Sequence, residues 1–159
     1  MSHGRRKTED GRRNWYPVSL SIAGKRIVVI GGGTVAERKV KNCMPCGCVV
    51  TVVSPTLTGS LRRRLIKKEI RYVESAYNIR HLKGAILVYA ATSDRNVNKR
   101  IARDAGKRRI LVNVCDSKEE SSFIVPAVFR KKGVTVAVST GGRSPSKAAR
   151  YRDRLKGCV

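Results

Sequence analysis

The string Gly31-Gly32-Gly33-Thr34-Val35-Ala36 has the form G-x-G-x-x-A. Where such a string joins a strand to a helix, it can take the pyrophosphate of a dinucleotide. Gly31 allows the tight turn, Gly33 lets backbone N–H groups approach the phosphates, and Ala36 lets the helix lie close to the strand. The anion then rests on the helix N-terminus, where free N–H groups and the helix dipole favour negative charge. A second candidate is Asp116, which closes the run Val112-Asn113-Val114-Cys115-Asp116. A carboxylate just past a strand's C-terminal end, at the crevice where a dinucleotide binds, can accept a proton from a substrate that also loses a hydride. The plain alternative for Asp116 is a turn or helix-capping aspartate. Asn113 reads either as orienting that loop or as satisfying backbone groups, and His81 as a surface or loop histidine rather than an acid-base group.

The carboxylate that usually follows the glycines by about 20 residues, to hold a ribose 2′-hydroxyl, is missing. Its place is taken by Ser54, followed by Pro55 and Thr56. A serine can still hydrogen-bond a ribose, while Arg62, Arg63 and Arg64 are near enough in sequence to suit a 2′-phosphate, so spacing leaves NAD and NADP both open. The five cysteines include the cluster Cys43, Cys46 and Cys48, but the only histidines are His3 and His81. No fourth ligand stands at finger-like spacing, and no metal site is expected. These cysteines read as small buried hydrophobes, kept as thiols in a reducing compartment.

These residues need elements to position them. Arg26 to Ile30 is a β-branched run that enters the glycines directly. From Thr34 to about Met44 the apolar Val35, Ala36, Val40 and Cys43 recur at helical spacing, and Pro45 with Gly47 ends the helix. Val49 to Val53 follows as a strand apolar on both faces, completing a β-α-β unit. The rhythm repeats with a helix near 57–68, a strand near 70–73, a strand over 85–90, a helix over 94–107 and a strand over 110–114. This alternation predicts an α/β fold, a Rossmann-type doubly wound parallel sheet. After Asp116 the pattern changes to two strand-like runs, 123–129 and 133–138, then a basic helix to Leu155: a small C-terminal α+β segment. The expected organisation is a basic arm over 1–14, a dinucleotide-binding domain over 15–116 and an associating segment over 117–159. About 40 residues are too few to bury a core alone, so the last segment is expected to need a partner surface, either the chain's own sheet or the same segment of a second copy in a homodimer.

The chain has 159 residues, with 35 Lys and Arg against 11 Asp and Glu, a formal charge of +24 spread along its whole length. Such a field draws polyanions, whether nucleic acid, an anionic membrane or a small polycarboxylate. Five Tyr, two Phe and one Trp give no aromatic-basic repeat for stacking bases, which argues against nucleic acid. No apolar run approaches the roughly 20 residues of a membrane helix, and the polar start lacks a signal peptide's apolar stretch. No membrane association and a cytoplasmic setting are therefore expected.

Several separated motifs occur in order: Tyr16-Pro17-Val18, the glycine string continuing into Glu37-Arg38-Lys39, Ala90-Ala91-Thr92-Ser93-Asp94, Val112 to Asp116, Phe123-Ile124-Val125-Pro126-Ala127, and Ser139-Thr140-Gly141-Gly142-Arg143-Ser144-Pro145. Together they resemble the precorrin-2 dehydrogenase family, the N-terminal module of siroheme synthases, from about Tyr16 to Leu155. The resemblance implies NAD-dependent oxidation of precorrin-2 to sirohydrochlorin, with iron insertion in some members. It puts cofactor contacts on Thr34, Val35, Pro55 and Thr56, the key carboxylate on Asp116, and a dimerisation segment after it. The substrate that the resemblance implies carries many carboxylates, which is one reading of the basic charge; the other is solubility, since +24 exceeds what one such anion requires. Family members usually continue into a further helical domain beyond the position of Val159, which bears on ferrochelatase activity. The competing expectation is a non-catalytic dinucleotide-binding module whose basic surface binds nucleic acid or senses a tetrapyrrole.

Overall fold

Apolar, β-branched runs without polar interruption make strands that need cover on both faces. Five such runs form β1 (Arg26–Ile30), β2 (Val49–Ser54), β3 (Arg71–Glu74), β4 (Leu87–Ala90) and β5 (Leu111–Val114). They pair in parallel in the order β3-β2-β1-β4-β5, the doubly wound arrangement predicted from the alternation. The computed structural model describes residues 15–158, so the basic arm expected over 1–14 lies outside the described residues.

Three helices cover the sheet: α1 (Thr34–Cys43), α2 (Gly59–Ile66) and α3 (Arg95–Lys107). The pleat sends alternate side chains to opposite faces. Ile27 and Val29 meet Ala36 and Val40 of α1 and Leu61 of α2. Val28 and Ile30 meet Ile101 and Ala105 of α3. Both layers are closed, with Ile27, Val28 and Val29 fully buried. Buried among them, the Cys43 thiol is pushed up to about 12, an inert packing residue.

Between β3 and β4 a single 3₁₀ turn, Ile79–Leu82, replaces a helix. His81 lies there and is buried rather than at the surface. Its Nδ1 accepts the Asn78 N–H at 3.1 Å, while Asn78 Oδ1 accepts the Arg80 N–H at 3.0 Å. Burial, with Arg80 and Arg26 nearby, lowers its pKa and keeps the ring a neutral acceptor.

The unit that contains the sheet runs from Leu20 to Phe123, past the break expected near residue 116. The reason is the free edge of β5. Ser122 Oγ accepts the Val112 N–H at 2.7 Å and Ser121 Oγ the Val114 N–H at 2.9 Å, so the returning chain satisfies an edge that would otherwise be open. Asn113 Nδ2 donates to the Phe123 carbonyl at 3.1 Å, and Phe123 packs edge-on against Tyr89. Phe123 therefore belongs with the sheet, and the strand expected over 123–129 starts only after Pro126.

The other unit comprises residues 15–19 and 124–158. Its β6 (Ala127–Lys131) and β7 (Val134–Val138) form an antiparallel hairpin. Lys132 and Gly133 have φ of 49° and 78°, as a two-residue turn matched to strand twist requires. Helix α4 (Pro145–Leu155) starts at Ser144, whose hydroxyl accepts the Lys147 N–H at 3.2 Å.

The link from β1 to α1 is wedged against the link from β2 to α2. A Cβ on Gly32 would lie 1.8 Å from the Thr56 carbonyl oxygen and 2.8 Å from Ser54 Oγ. The first of these is backbone and cannot swing away. Gly32→Ala should cost about 1–3 kcal/mol, seen as a lower urea midpoint; an unchanged midpoint would refute this packing.

Candidate active site

The helices after β1 and β4 pack on opposite faces of the sheet, so the strand order reverses between β1 and β4, the switch point at which doubly wound sheets take ligands. Gly31 stands at this end of the sheet with φ +119°, and a Cβ there would meet the Ala91 carbonyl oxygen at 2.3 Å. Its N–H donates to the Val53 carbonyl at 2.8 Å, and the Gly32 carbonyl accepts the Thr58 N–H at 2.9 Å. Thr58 Oγ1 donates in turn to Glu37 Oε2 at 2.9 Å, and hydrogen bonds from Thr58 and Ser60 hold that carboxyl below its usual pKa. The turn is thus fixed from both sides.

Gly33 is different in kind. It is exposed, and nothing lies within 4 Å of a Cβ built on it. It caps α1 with no side-chain hydrogen bond, so the first-turn N–H groups are left for another acceptor. Thr34 and Val35 are exposed on that turn, and Ala36 is buried against the sheet. The only acidic residue in the first turn, Glu37, is engaged by Thr58. An open glycine before a helix N-terminus suits a phosphate, and the residues present fit a dinucleotide.

Pro55 and Thr56 are exposed at the end of β2. Ser54 is buried, its hydroxyl accepting the Thr56 N–H at 3.4 Å. The Ser54 hydroxyl is thus engaged within its own link, and the exposed side chains there are those of Pro55 and Thr56. Arg64 is engaged by Glu69 at 2.8 Å, while Arg62 and Arg63 are exposed on α2.

Asp116 follows β5 and is 40% exposed at its side chain. Asn98 Nδ2 donates to its Oδ2 at 3.0 Å. Arg95 Nη1 is 4.0 Å from its Oδ1, but Arg95 binds Glu120 more closely, at 2.6 Å. That bond raises the Arg95 pKa and lowers that of Glu120. On the other face, Lys39 Nζ donates to Asn113 Oδ1 at 2.8 Å and sits 5.3 Å from the centre of the Tyr89 ring. Burial lowers the Lys39 pKa. Asn113 accordingly ties α1 to β5 and β5 to the Phe123 carbonyl.

The glycines, Thr34, Val35, Pro55, Thr56 and Asp116 all stand at the C-terminal end of the sheet, on the links that leave β1, β2 and β5. Sequence reasoning passed over Gly32, Lys39 and Asn98. A signal for Asn98 exists: it occupies the stripe of α3 that carries Ile101 and Ala105, where an apolar residue is expected. Among the described residues, no group of three or more His, Cys, Asp or Glu is arranged to hold a metal ion. No helix among them is long and apolar enough to cross a membrane.

A family model described as putative NAD(P)-binding matches residues 18–127. The chain is 40% identical over 140 residues to a siroheme synthase of Methylobacillus flagellatus, covering 88% of this chain and 30% of the relative. It is 41% identical over 147 residues to that of Nitrosospira multiformis, covering 90% and 31%. The chain thus spans about a third of the length of these curated relatives. Among solved structures it is similar to SirC, a precorrin-2 dehydrogenase, with a TM-score of 0.77 and 29% identity over 91% of this chain and 71% of the other.

A methyl group at position 33 would enter the open space before α1 without touching the protein. Gly33→Ala should keep the unfolding midpoint near that of the parent while weakening NAD binding about tenfold, a loss of about 1.4 kcal/mol. Calorimetric titration with NAD checks this, and parental affinity in the variant would remove Gly33 from the phosphate cradle.

Proposed function

The chain belongs to the putative NAD(P)-binding family, and from that premise we propose that it oxidises precorrin-2 to sirohydrochlorin with NAD, as a step of siroheme formation. The observation that carries the reading is the Asp116 carboxylate at the end of β5, at the same end of the sheet as the open glycine before α1. The likeness to SirC and to siroheme synthases supports the choice of substrate.

Bound NAD⁺ would supply the hydride acceptor. The chain's residues do the rest. Gly31 keeps the β1–α1 turn tight, Gly33 leaves room for the pyrophosphate, and the first-turn N–H groups at Thr34 and Val35 receive its charge. Pro55 and Thr56, exposed at the end of β2, would help to hold the cofactor. Oxidation also releases a proton, and Asp116 accepts it. The chain's net charge of +24 attracts a tetrapyrrole bearing many carboxylates and speeds its capture.

We also propose a homodimer. The unit built on β6, β7 and α4 buries few large side chains and leaves Val134 47%, Tyr151 42% and Leu155 40% exposed. A two-fold contact would cover such a surface twice over.

Purified protein given precorrin-2 and NAD should produce NADH absorbance; none would refute the dehydrogenase. Asp116→Asn should lower kcat by about 10²- to 10⁴-fold and leave NAD affinity as it is, whereas unchanged turnover would exclude Asp116 as base. Sedimentation at micromolar protein should give twice the chain mass, and an active monomer would exclude the dimer from the reaction.

A further inference from the structure

Asn98 is fully buried on α3, in the stripe where Ile101 and Ala105 pack against the sheet. An amide placed there is costly unless each of its polar atoms is bonded. Here all are. Oδ1 accepts the Thr92 N–H at 3.2 Å and the Thr92 hydroxyl at 2.8 Å. Nδ2 donates to the Thr92 carbonyl at 3.1 Å and to Asp116 Oδ2 at 3.0 Å. These four bonds meet the amide's two donors and two acceptor sites. They also fix its orientation, because turning the amide over would set its oxygen against a carbonyl and a carboxylate, neither of which can donate.

What Asn98 joins matters more than that it is satisfied. Thr92 directly follows Ala91, whose carbonyl abuts Gly31, and the Thr92 nitrogen itself lies 3.2 Å from a Cβ built on Gly31. One side chain therefore bonds both the loop that abuts the glycine turn and the carboxylate beyond β5. An apolar residue would fill the same stripe and make neither bond. We propose that Asn98 is a positioning residue that sets the Asp116 carboxylate in register with the dinucleotide turn, holding Oδ2 and leaving Oδ1 as the oxygen that receives the proton. Arg95 does not block Oδ1, since it is drawn to Glu120 at 2.6 Å and stands 4.0 Å away. The inference rests on Asp116 being the proton acceptor in the reaction proposed above, but its physical core, the bond from Asn98 to Asp116, can be read without turnover.

In ¹H–¹⁵N spectra of the parent chain and of Asp116→Asn, the side-chain amide resonances of Asn98 should differ clearly between the two; identical resonances would overturn the proposal. This comparison leaves Asn98 intact, so it holds even if substitutions there unfold the protein. Asn98→Asp keeps an acceptor for the Thr92 N–H and turns a donor into a repelling carboxylate. It should lower kcat about tenfold to a hundredfold, as misplacement of a catalytic group does. The KM for precorrin-2 and the affinity for NAD should stay within about twofold, because neither ligand loses a contact of its own. Asn98→Ser, a smaller side chain that keeps a hydroxyl donor, should recover part of the lost kcat. Parental kcat in Asn98→Asp, or a loss expressed only in KM, would overturn the positioning role. If the Asn98 resonances move in Asp116→Asn while that variant turns over normally, Asp116 is not the base, although the bond to it stands.

Discussion

The working end of this protein depends on backbone passing closer to backbone than any Cβ permits. Gly31 and Gly32 end β1 between the links that leave β4 and β2, where added Cβ atoms would stand 2.3 Å from the Ala91 oxygen and 1.8 Å from the Thr56 oxygen. Because the two glycines are pressed from opposite sides, the backbone itself holds the ends of three strands in one arrangement. Gly33 is released from that constraint, and its openness has meaning only because its two neighbours are closed. Adjacent glycines thus do separate jobs: two make the floor and the third leaves the space above it.

Polar groups take over where the sheet ends. Along β1 the side chains from Ile27 to Ile30 are apolar and buried, but toward β5 the buried residues include Asn98, Asn113 and Ser121. Among the described residues, no buried side-chain nitrogen or oxygen lacks a partner. Each such hydrogen bond adds only about 1 kcal/mol of net stability, while breaking one leaves a buried group that costs about 1–3 kcal/mol. The bonds therefore select one geometry more than they strengthen the fold. That selection falls on the edge strand, whose outer N–H groups would otherwise be open and whose end carries Asp116.

The periodic parts of the chain were legible before the structure. The β-branched runs from Arg26 and from Val49, and the helical spacing between them, specified the β-α-β unit and with it the doubly wound sheet. Less legible were residues whose role is set by a partner distant in sequence. Gly32 looked like the free position of G-x-G-x-x-A, because its constraint comes from Thr56 on another loop. Ser54 occupied a ligand-facing position in the pattern, yet it accepts the N–H two residues on and turns inward. His81 had no apolar periodicity around it because the 3₁₀ turn that buries it is a single turn long. Phe123 continued an apolar run on paper, but Pro126 separates it from the strand and Tyr89 provides its packing surface. Asn98 was the one case where local pattern carried a warning, an amide on an apolar stripe, though nothing local names its partners.

Charge acts here on two length scales that should be kept apart. The excess of Lys and Arg draws anions from a distance, and salt at physiological strength screens it beyond about 8 Å. A field of this kind acts on any anion and does not choose where on the surface it binds. Around Asp116 the contacts are local, and the closest is a neutral amide rather than a guanidinium. In a chain with 35 basic residues, a guanidinium clasp on that carboxylate would be easy to form, and Arg95 stands within 4.0 Å of Asp116. Glu120 holds Arg95 at 2.6 Å, and the donor that reaches Asp116 at 3.0 Å is the neutral amide of Asn98. One of the few acidic side chains thus engages the guanidinium nearest Asp116, and the Asn98 amide is the closer donor to that carboxylate.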